Sequence, residues 1–242
     1  AFEGAHIRNG MRASEGAIER AWIDVSTMDV EYSTIDGGKA KGICGSGVVD
    51  LIAEMLRTGI IDNTGRIHAK PSTNRFKERE GVSEFIVEFG SNTVTGNDIV
   101  ITQKDVREIQ KAKAAIYTGS SILLKNSNVK SDEIENVYVA GAFGNYLDPE
   151  NIRTIGMFPD FAIDKIIGVG NAAGTGSRMV LLSKNVRDEA INLSLNINYL
   201  ELAAEPNFMS EYTNALDLPH RNLSLFPLTM KKLSESNFQV KS

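Results

Sequence analysis

Polar and apolar residues roughly alternate from Ala17 to Ile35, AIERAWIDVSTMDVEYSTI, around a Ser-Thr break. A period of two puts one face of a strand against a core, so the segment predicts two strands joined as a hairpin. Asp36-Gly37-Gly38 predicts the turn that closes it. The period then changes. In GICGSGVVDLIAEMLRTGIID, Val48, Val49, Ile52, Met55 and Leu56 recur at helical spacing, and Gly59 stands where a C-terminal cap belongs. A glycine-rich turn therefore feeds directly into a helix.

Thr64 to Val82 is polar and without period, which predicts an excursion or loop. FIVEF (Phe85–Phe89) and DIVIT (Asp98–Thr102) read as strands around a Ser-Asn-Thr-rich turn. Thr102 opens a capping box, Thr-Gln-Lys-Asp, with Asp105 at the third helical position. The helix behind it is expected to carry Val106, Ile109, Ala112, Ile116, Gly119 and Leu123 on one stripe. ENVYVAGAFGNYLDPENI predicts a buried strand, a glycine turn and a helix capped by Asp148 with Pro149 at its first position. KIIGVGNAAGTGSRMVLLS repeats that scheme. INYLEL reads as a strand, Asn207 as the cap of a last short helix ending before Leu218-Pro219, and residues 222–242 as a flexible polar tail. Strands alternating with helices, together with a hairpin, predict an α/β fold: a mixed sheet with helices on both faces and ligands at the C-terminal ends of strands.

Composition narrows the function classes. The 242 residues are 42% hydrophobic and 24% charged, which suits one large domain or two small ones. A net charge of −5 argues against a nucleic-acid surface but leaves a nucleotide open, since polyphosphate needs only a few local donors. No apolar run approaches 18 residues and no signal peptide is present, so neither a membrane nor an export route is expected. Cys44 is the single cysteine, which leaves no internal disulfide and no Cys-held iron–sulfur cluster in this chain, and points to a reducing, cytoplasmic compartment. The opening AFEGAHIRNGMR, without Met, reads as a cut inside a longer polypeptide.

Three junctions into helices are rich in small residues: Gly42 to Gly47, Gly141-Ala142-Phe143-Gly144-Asn145, and Gly170 to Gly176. Glycine lets backbone approach a ligand, and a helix N-terminus offers free N–H groups and a positive dipole end to phosphate. Tight helix–sheet packing would use the same glycines. No GxxxxGK[ST] is present, and neither GICGSG nor GNAAGTG satisfies the dinucleotide pattern. Cys44 reads as a small buried residue, and His6, His68 and His220 have no ligand spacing, so no metal site is expected. Glu3, Arg8 and Arg12 read as a solvated cluster, with Arg8 and Arg12 sharing a helical face. Asn145 and Asp148 are open to a base, a ribose or the backbone.

AFEGAHIRNGMRASEGAIE, GICGSGVVDLIAEMLRTGIID, ITQKDVREIQKAKAAI, VYVAGAFGNYLDPENI and VGNAAGTGSRMVLLS together resemble signature blocks of the C-terminal domain of reductive activators of corrinoid enzymes, from about Ala1 to Pro219. That resemblance implies the actin-like ATPase (ribonuclease H-like) fold of the acetate and sugar kinase, Hsp70 and actin superfamily, here as an N-terminally truncated piece with residues 1–221 in the domain. It implies a parent that uses ATP and Mg2+ to drive an electron from an iron–sulfur domain onto the Co(II) of a corrinoid protein, restoring Co(I) for methyl transfer in methanogenesis or acetogenesis. By the same resemblance VYVAGAF holds the adenosine motif, with Gly141, Ala142 and Gly144. The helix from Thr102 crosses between the halves of the fold, and GNAAGTGSRM lines the nucleotide.

The expected nucleotide contacts are thus Gly45, Ser46, Gly47, Gly141, Ala142, Gly144, Asn145, Gly174, Thr175 and Gly176. The superfamily's DIGT-type phosphate loops and the iron–sulfur domain are absent from this sequence, so no tightly bound cofactor is expected here and no catalytic residue can be named. Partners are the corrinoid protein and the upstream half of the polypeptide, with a homodimer left open. A sugar- or acetate-kinase-like phosphotransferase and a non-catalytic interaction domain stay as alternatives.

Overall fold

The computed structural model describes residues 4–70, 73–141, 144, 146–238 and 240. The alternating segment forms the expected hairpin, β1 (Ala17–Ile23) antiparallel to β2 (Val30–Thr34). β3 (Gly42–Ile43) joins the other edge of β1 in parallel, giving the order β2-β1-β3. α1 (Gly45–Arg57) packs on this sheet and buries its apolar residues from Val48 to Leu56. Thr58 caps it, and Gly59 at φ +66° ends it, as its position in the sequence predicts.

A second sheet, β4 (Phe76–Arg79), β5 (Val82–Glu88) and β6 (Ile99–Thr102), is antiparallel throughout. β4 corrects the expectation of a loop over 64–82. Only Phe76 of its four residues turns inward, meeting the Phe85 ring at 5.4 Å, so the strand has no sequence period to read. α2 (Gln103–Asn126) starts with the predicted capping box: Thr102 Oγ1 accepts from the Asp105 N–H while the Asp105 carboxylate accepts from the Thr102 N–H.

The buried side of α2 differs from the expected stripe. Val106 and Ile109 lie inward, but the face continues through Lys113, Tyr117 and Ile122, while Leu123 is exposed. The expected stripe steps a little tighter than 3.6 residues and drifts off the face. Lys113 is wholly buried, its ammonium donating to the carbonyls of Asp217 at 2.5 Å and Pro219 at 2.7 Å.

β7 (Val137–Ala140) and β8 (Ile166–Gly170) form a two-stranded parallel sheet, so the strands fall into three small sheets rather than one. β7 is not the buried strand expected: Tyr138 and Ala140 are exposed. After β7 in the chain come α3 (Pro149–Thr154), which packs on α1, and, beyond β8, α4 (Ala172–Leu182) and α5 (Lys184–Asn196), the last two without a buried residue. INYLEL forms no strand; Ile197 and Tyr199 stand in solvent and only a 3-10 turn, Leu202–Ala204, follows. α6 (Phe208–Ala215) starts at Asn207 without a side-chain cap. The segment expected as a flexible tail instead holds α7 (Pro227–Leu233), with Phe226, Thr229 and Leu233 buried and Asp160 accepting from the N–H groups of Leu228 and Thr229.

Candidate functional site

β7 and β8 run parallel and stop together. The Gly141 N–H donates to the Gly170 carbonyl at 2.7 Å, and the backbone turns out of both strands with φ +101° at Gly141 and +60° at Gly170. These left-handed conformations favour glycine. Among the described residues, nothing lies within 4 Å of where a Cβ would stand on either. Beyond Gly170, Asn171 caps α4 by accepting from the Gly174 N–H at 2.9 Å. A Cβ on Gly174 would come 2.7 Å from the capping amide, so glycine is what lets this cap form. Thr175 is exposed and Gly176 faces open space among the described residues. Gly141 and the 170–176 turn thus meet side by side at the carboxyl ends of parallel strands, where α/β folds hold ligands. Ala142 and Asn145 lie outside the described residues. Gly144 is buried, and a Cβ there would meet Val139 Cγ1 at 2.6 Å.

The third turn is of another kind. Gly45, Ser46 and Gly47 are all buried. A Cβ on Gly47 would lie 2.2 Å from the Ile18 carbonyl oxygen, so this glycine seats α1 against β1. Cys44 is buried too; its thiol donates to the Ile18 carbonyl at 3.3 Å and lies 3.4 Å from Ser46 Oγ.

Downstream of the Gly141 turn, Asp148 has protein partners. Its carboxylate caps α3, accepting from the Glu150 N–H at 2.8 Å, and it receives the Arg20 guanidinium of β1 at 3.0 Å. Arg20 Nε also lies 3.8 Å from Asp50 of α1. Asp50 is 1% exposed and accepts from Asn151 Nδ2 at 2.6 Å. Burial pushes its carboxyl up to about 6, against the pull of Asn151 and Arg20. Arg57 completes the link, donating to Glu54 at 2.5 Å, Asn151 at 2.7 Å and Thr154 at 2.8 Å. Sequence reading missed this network. Its one visible sign is Asp50 and Glu54, two carboxylates four residues apart inside an apolar helix.

Arg8 is not simply solvated, and residues 4–12 are not helical. Its guanidinium pairs with buried Glu84, and its N–H donates to the Asp105 carboxylate at 2.9 Å. Glu3 lies outside the described residues. His68 bonds Asp62 at 2.8 Å, and His220 Nδ1 accepts from the Asn222 N–H at 2.9 Å. Among the described residues no three His, Cys, Asp or Glu side chains gather as a metal cage, and no helix is long and apolar enough to cross a membrane.

A family model described as the C-terminal domain of RACo, the ASKHA domain, matches residues 1–230. The corrinoid activation enzyme RamQ of Eubacterium limosum is 40% identical over 220 residues, which is 88% of this chain and 37% of that one. The [Co(II) methylated amine-specific corrinoid protein] reductase of Methanosarcina barkeri is 29% identical over 234 residues, 88% and 39% of the two chains. A solved structure of a reductive activator for corrinoid, iron-sulfur protein superposes with a TM-score of 0.86 at 39% identity, over 94% of this chain and 36% of that one. The chain therefore spans a little over a third of the length of these relatives, and the fold is the actin-like one that the sequence blocks imply. With nearly its whole length matched, this chain belongs to the family of the C-terminal ASKHA domain of RACo.

Proposed function

We propose that the polypeptide to which this chain belongs is a cytoplasmic, ATP-dependent reductive activator that returns the Co(II) of a corrinoid protein to Co(I). The observation that carries the reading is the pair of open glycine turns, Gly141 and Gly170 to Gly176, side by side at the ends of β7 and β8. The names of the two curated relatives support the corrinoid substrate. Gly141, Ala142, Gly144 and Asn145 flank the adenosine, and the first turn of α4 with Gly174, Thr175 and Gly176 faces the phosphates. Gly45, Ser46 and Gly47 act from behind, by seating α1. ATP-Mg2+ supplies the free energy, with the phosphate and metal loops elsewhere in the polypeptide. The single buried Cys44 does not fit a Cys-held cluster, so the electron comes from an iron–sulfur domain outside this chain.

The exposed apolar residues of α4 and α5, among them Leu181, Leu182, Leu193 and Leu195, are covered by the rest of that polypeptide; the match spans 37% and 39% of the two curated relatives, so more than half of each lies outside it. Adding ATP-Mg2+ and a Co(II) corrinoid protein to the full polypeptide tests the activity. Cobalt reduction that is lost in Gly141→Val is the expected result; a phosphorylated product would mark a kinase, and binding without turnover an interaction domain. The isolated chain is expected to bind ATP-Mg2+ weakly by calorimetry and to be colourless. A concentration-dependent dimer in sedimentation would assign the apolar face to a second copy.

A further inference from the structure

Lys113 of α2 and His220 are both buried, at 0% and 2% exposure, and the proposed function uses neither. They stand on one contact, where the chain from Phe208 to Leu233 lies along α2. The Leu216 carbonyl accepts from Gln110 Nε2 at 2.7 Å, and the Asp217 and Pro219 carbonyls accept from Lys113 Nζ. The Leu218 N–H donates to the Asn63 carbonyl at 2.7 Å. His220 comes next, its ring packed on those of Tyr117 and Phe226 with centroids 5.0 and 5.9 Å away.

This contact is built for neutral side chains. His220 Nδ1 accepts from the Asn222 N–H at 2.9 Å, so the neutral ring carries its proton on Nε2, which is buried without an acceptor among the described residues. A second proton on Nδ1 would displace the Asn222 N–H and charge the ring beside Lys113. Lys113 needs no charge to hold the segment, because a neutral amine keeps two N–H groups for its two carbonyls. The carboxylates that face the pair are engaged at the surface, Asp217 by Arg221 at 3.4 Å and Glu211 of α6 by Lys125 of α2. The Tyr117 phenol, pushed up to about 12 by burial, stays uncharged, and Lys231 and Lys232 of α7 are exposed.

We infer that Lys113 and His220 form an acid-sensitive latch: residues 208–233 dock firmly on α2 while both side chains are neutral and loosen as they take up protons. The latch does not depend on the nucleotide reading. Burial brings Lys113 from 10.5 down to about 7, and burial with the Lys113 charge holds His220 below its ordinary 6.5. Each group binds its proton more weakly docked than released. Protonation therefore favours release, for Lys113 as pH falls from 10.5 to about 7 and for His220 as pH falls below 6.5. Release is local, since α6 and α7 have 8 and 7 residues, and helices shorter than about 12–15 do not stand undocked. Asp50 of α1 titrates in the opposite sense, its carboxyl being raised by burial, so it does not cause acid loosening.

The test is amide hydrogen exchange on the full polypeptide at about pH 8 and about pH 5.5, each corrected for the intrinsic exchange rate. Opening at residues 208–233 is expected to rise about tenfold or more on acidification, while residues 45–57 of α1 keep their protection. His220→Asn keeps an acceptor for the Asn222 N–H and does not titrate, so it should lose most of the acid response. Lys113→Met removes the like charge beside the ring and should shrink the response as well; it decides the matter if His220→Asn does not fold. The latch is overturned by exchange at 208–233 that ignores pH in wild type, by equal loosening of α1, or by a full acid response in either variant.

Discussion

α1 on β1 and α4 beside β8 are built from the same parts: a short parallel-paired strand, a turn of small residues and a helix of 11 to 13 residues. One is the heart of the core, and the other buries almost nothing. Leu51, Ile52, Met55 and Leu56 of α1 are wholly buried. Leu181 and Leu182 of α4 are 75% and 81% exposed, and Leu195 of α5 is 78% exposed. Local chain chemistry makes helices in both places; what differs is whether another layer covers them. Fully burying one such side chain is worth about 1.5–3 kcal/mol, a stabilisation that α1 has and that α4 and α5, with no buried residue, lack within this chain. The glycine turns follow the same division. Gly47 is glycine because backbone lies against it, and Gly141 because its φ demands it, with no described residue within 4 Å of where its Cβ would stand.

The largest expected effect tests the closed side. Gly47→Val puts side-chain carbons on the Ile18 carbonyl, which already stands 2.2 Å from an ideal Cβ. Neither backbone can retreat without opening the α1–β1 contact, so a loss of about 3 kcal/mol or more is expected from urea unfolding. A fully stable Gly47→Val would mean that α1 is not seated as described.

Asp50 gives a pH-dependent effect of about the same size. Its carboxyl is raised from 3.8 to about 6 by burial. Between those values the folded chain holds a proton that the unfolded chain has released. Stability contributed by Asp50 is therefore present below pH 4 and falls as pH rises through 6, by about 3 kcal/mol in all. Asp50→Asn removes this titration. Urea midpoints compared at pH 4.5 and pH 7 should show wild type losing ground to the variant as pH rises; parallel pH profiles would contradict the assignment.

Cys44→Ser sits lower. The thiol's weak hydrogen bond to the Ile18 carbonyl can be taken over by a hydroxyl, and the site has no other use for sulfur. A stability loss of about 1 kcal/mol with cobalt reduction nearly intact is expected. Loss of ATP-dependent reduction in Cys44→Ser at retained stability would return the thiol to the site.

How much of this was legible in the sequence follows the range of the interaction that decides each feature. The hairpin over Ala17 to Ile35, the Thr102–Asp105 capping box and the Asp148-Pro149 helix start are set by neighbours a few residues apart, and all stand as read. The Arg20–Asp148 pair joins residues 128 apart, and nothing local marks Arg20 as a partner of Asp148. The burial of Lys113 is decided by the carbonyls of Asp217 and Pro219, which accept its hydrogen bonds from more than a hundred residues away. Phe226 and Leu233 lie in the segment whose polar content predicts a flexible tail, yet they fill space against Tyr117 and the main core. The apolar text of β7 predicts a buried strand, but burial depends on a layer that this text does not contain.

The smallest expected effect sharpens the comparison most. Leu182→Ser with Leu195→Ser removes two large apolar side chains, a change that would cost several kcal/mol in α1. Here both are more than three-quarters exposed, and α4 and α5 bury no residue. In the isolated chain the double variant should shift stability by no more than about 0.5 kcal/mol, with reduced self-association at high concentration. In the full polypeptide the same two changes should cost about 3 kcal/mol or more under the proposed covering of that face. The two measurements together separate a surface that is apolar by accident from one built to be buried. An equal, negligible effect in both would show that the rest of the polypeptide does not lie on α4 and α5. A large loss in the isolated chain would show that these helices already have a partner within it.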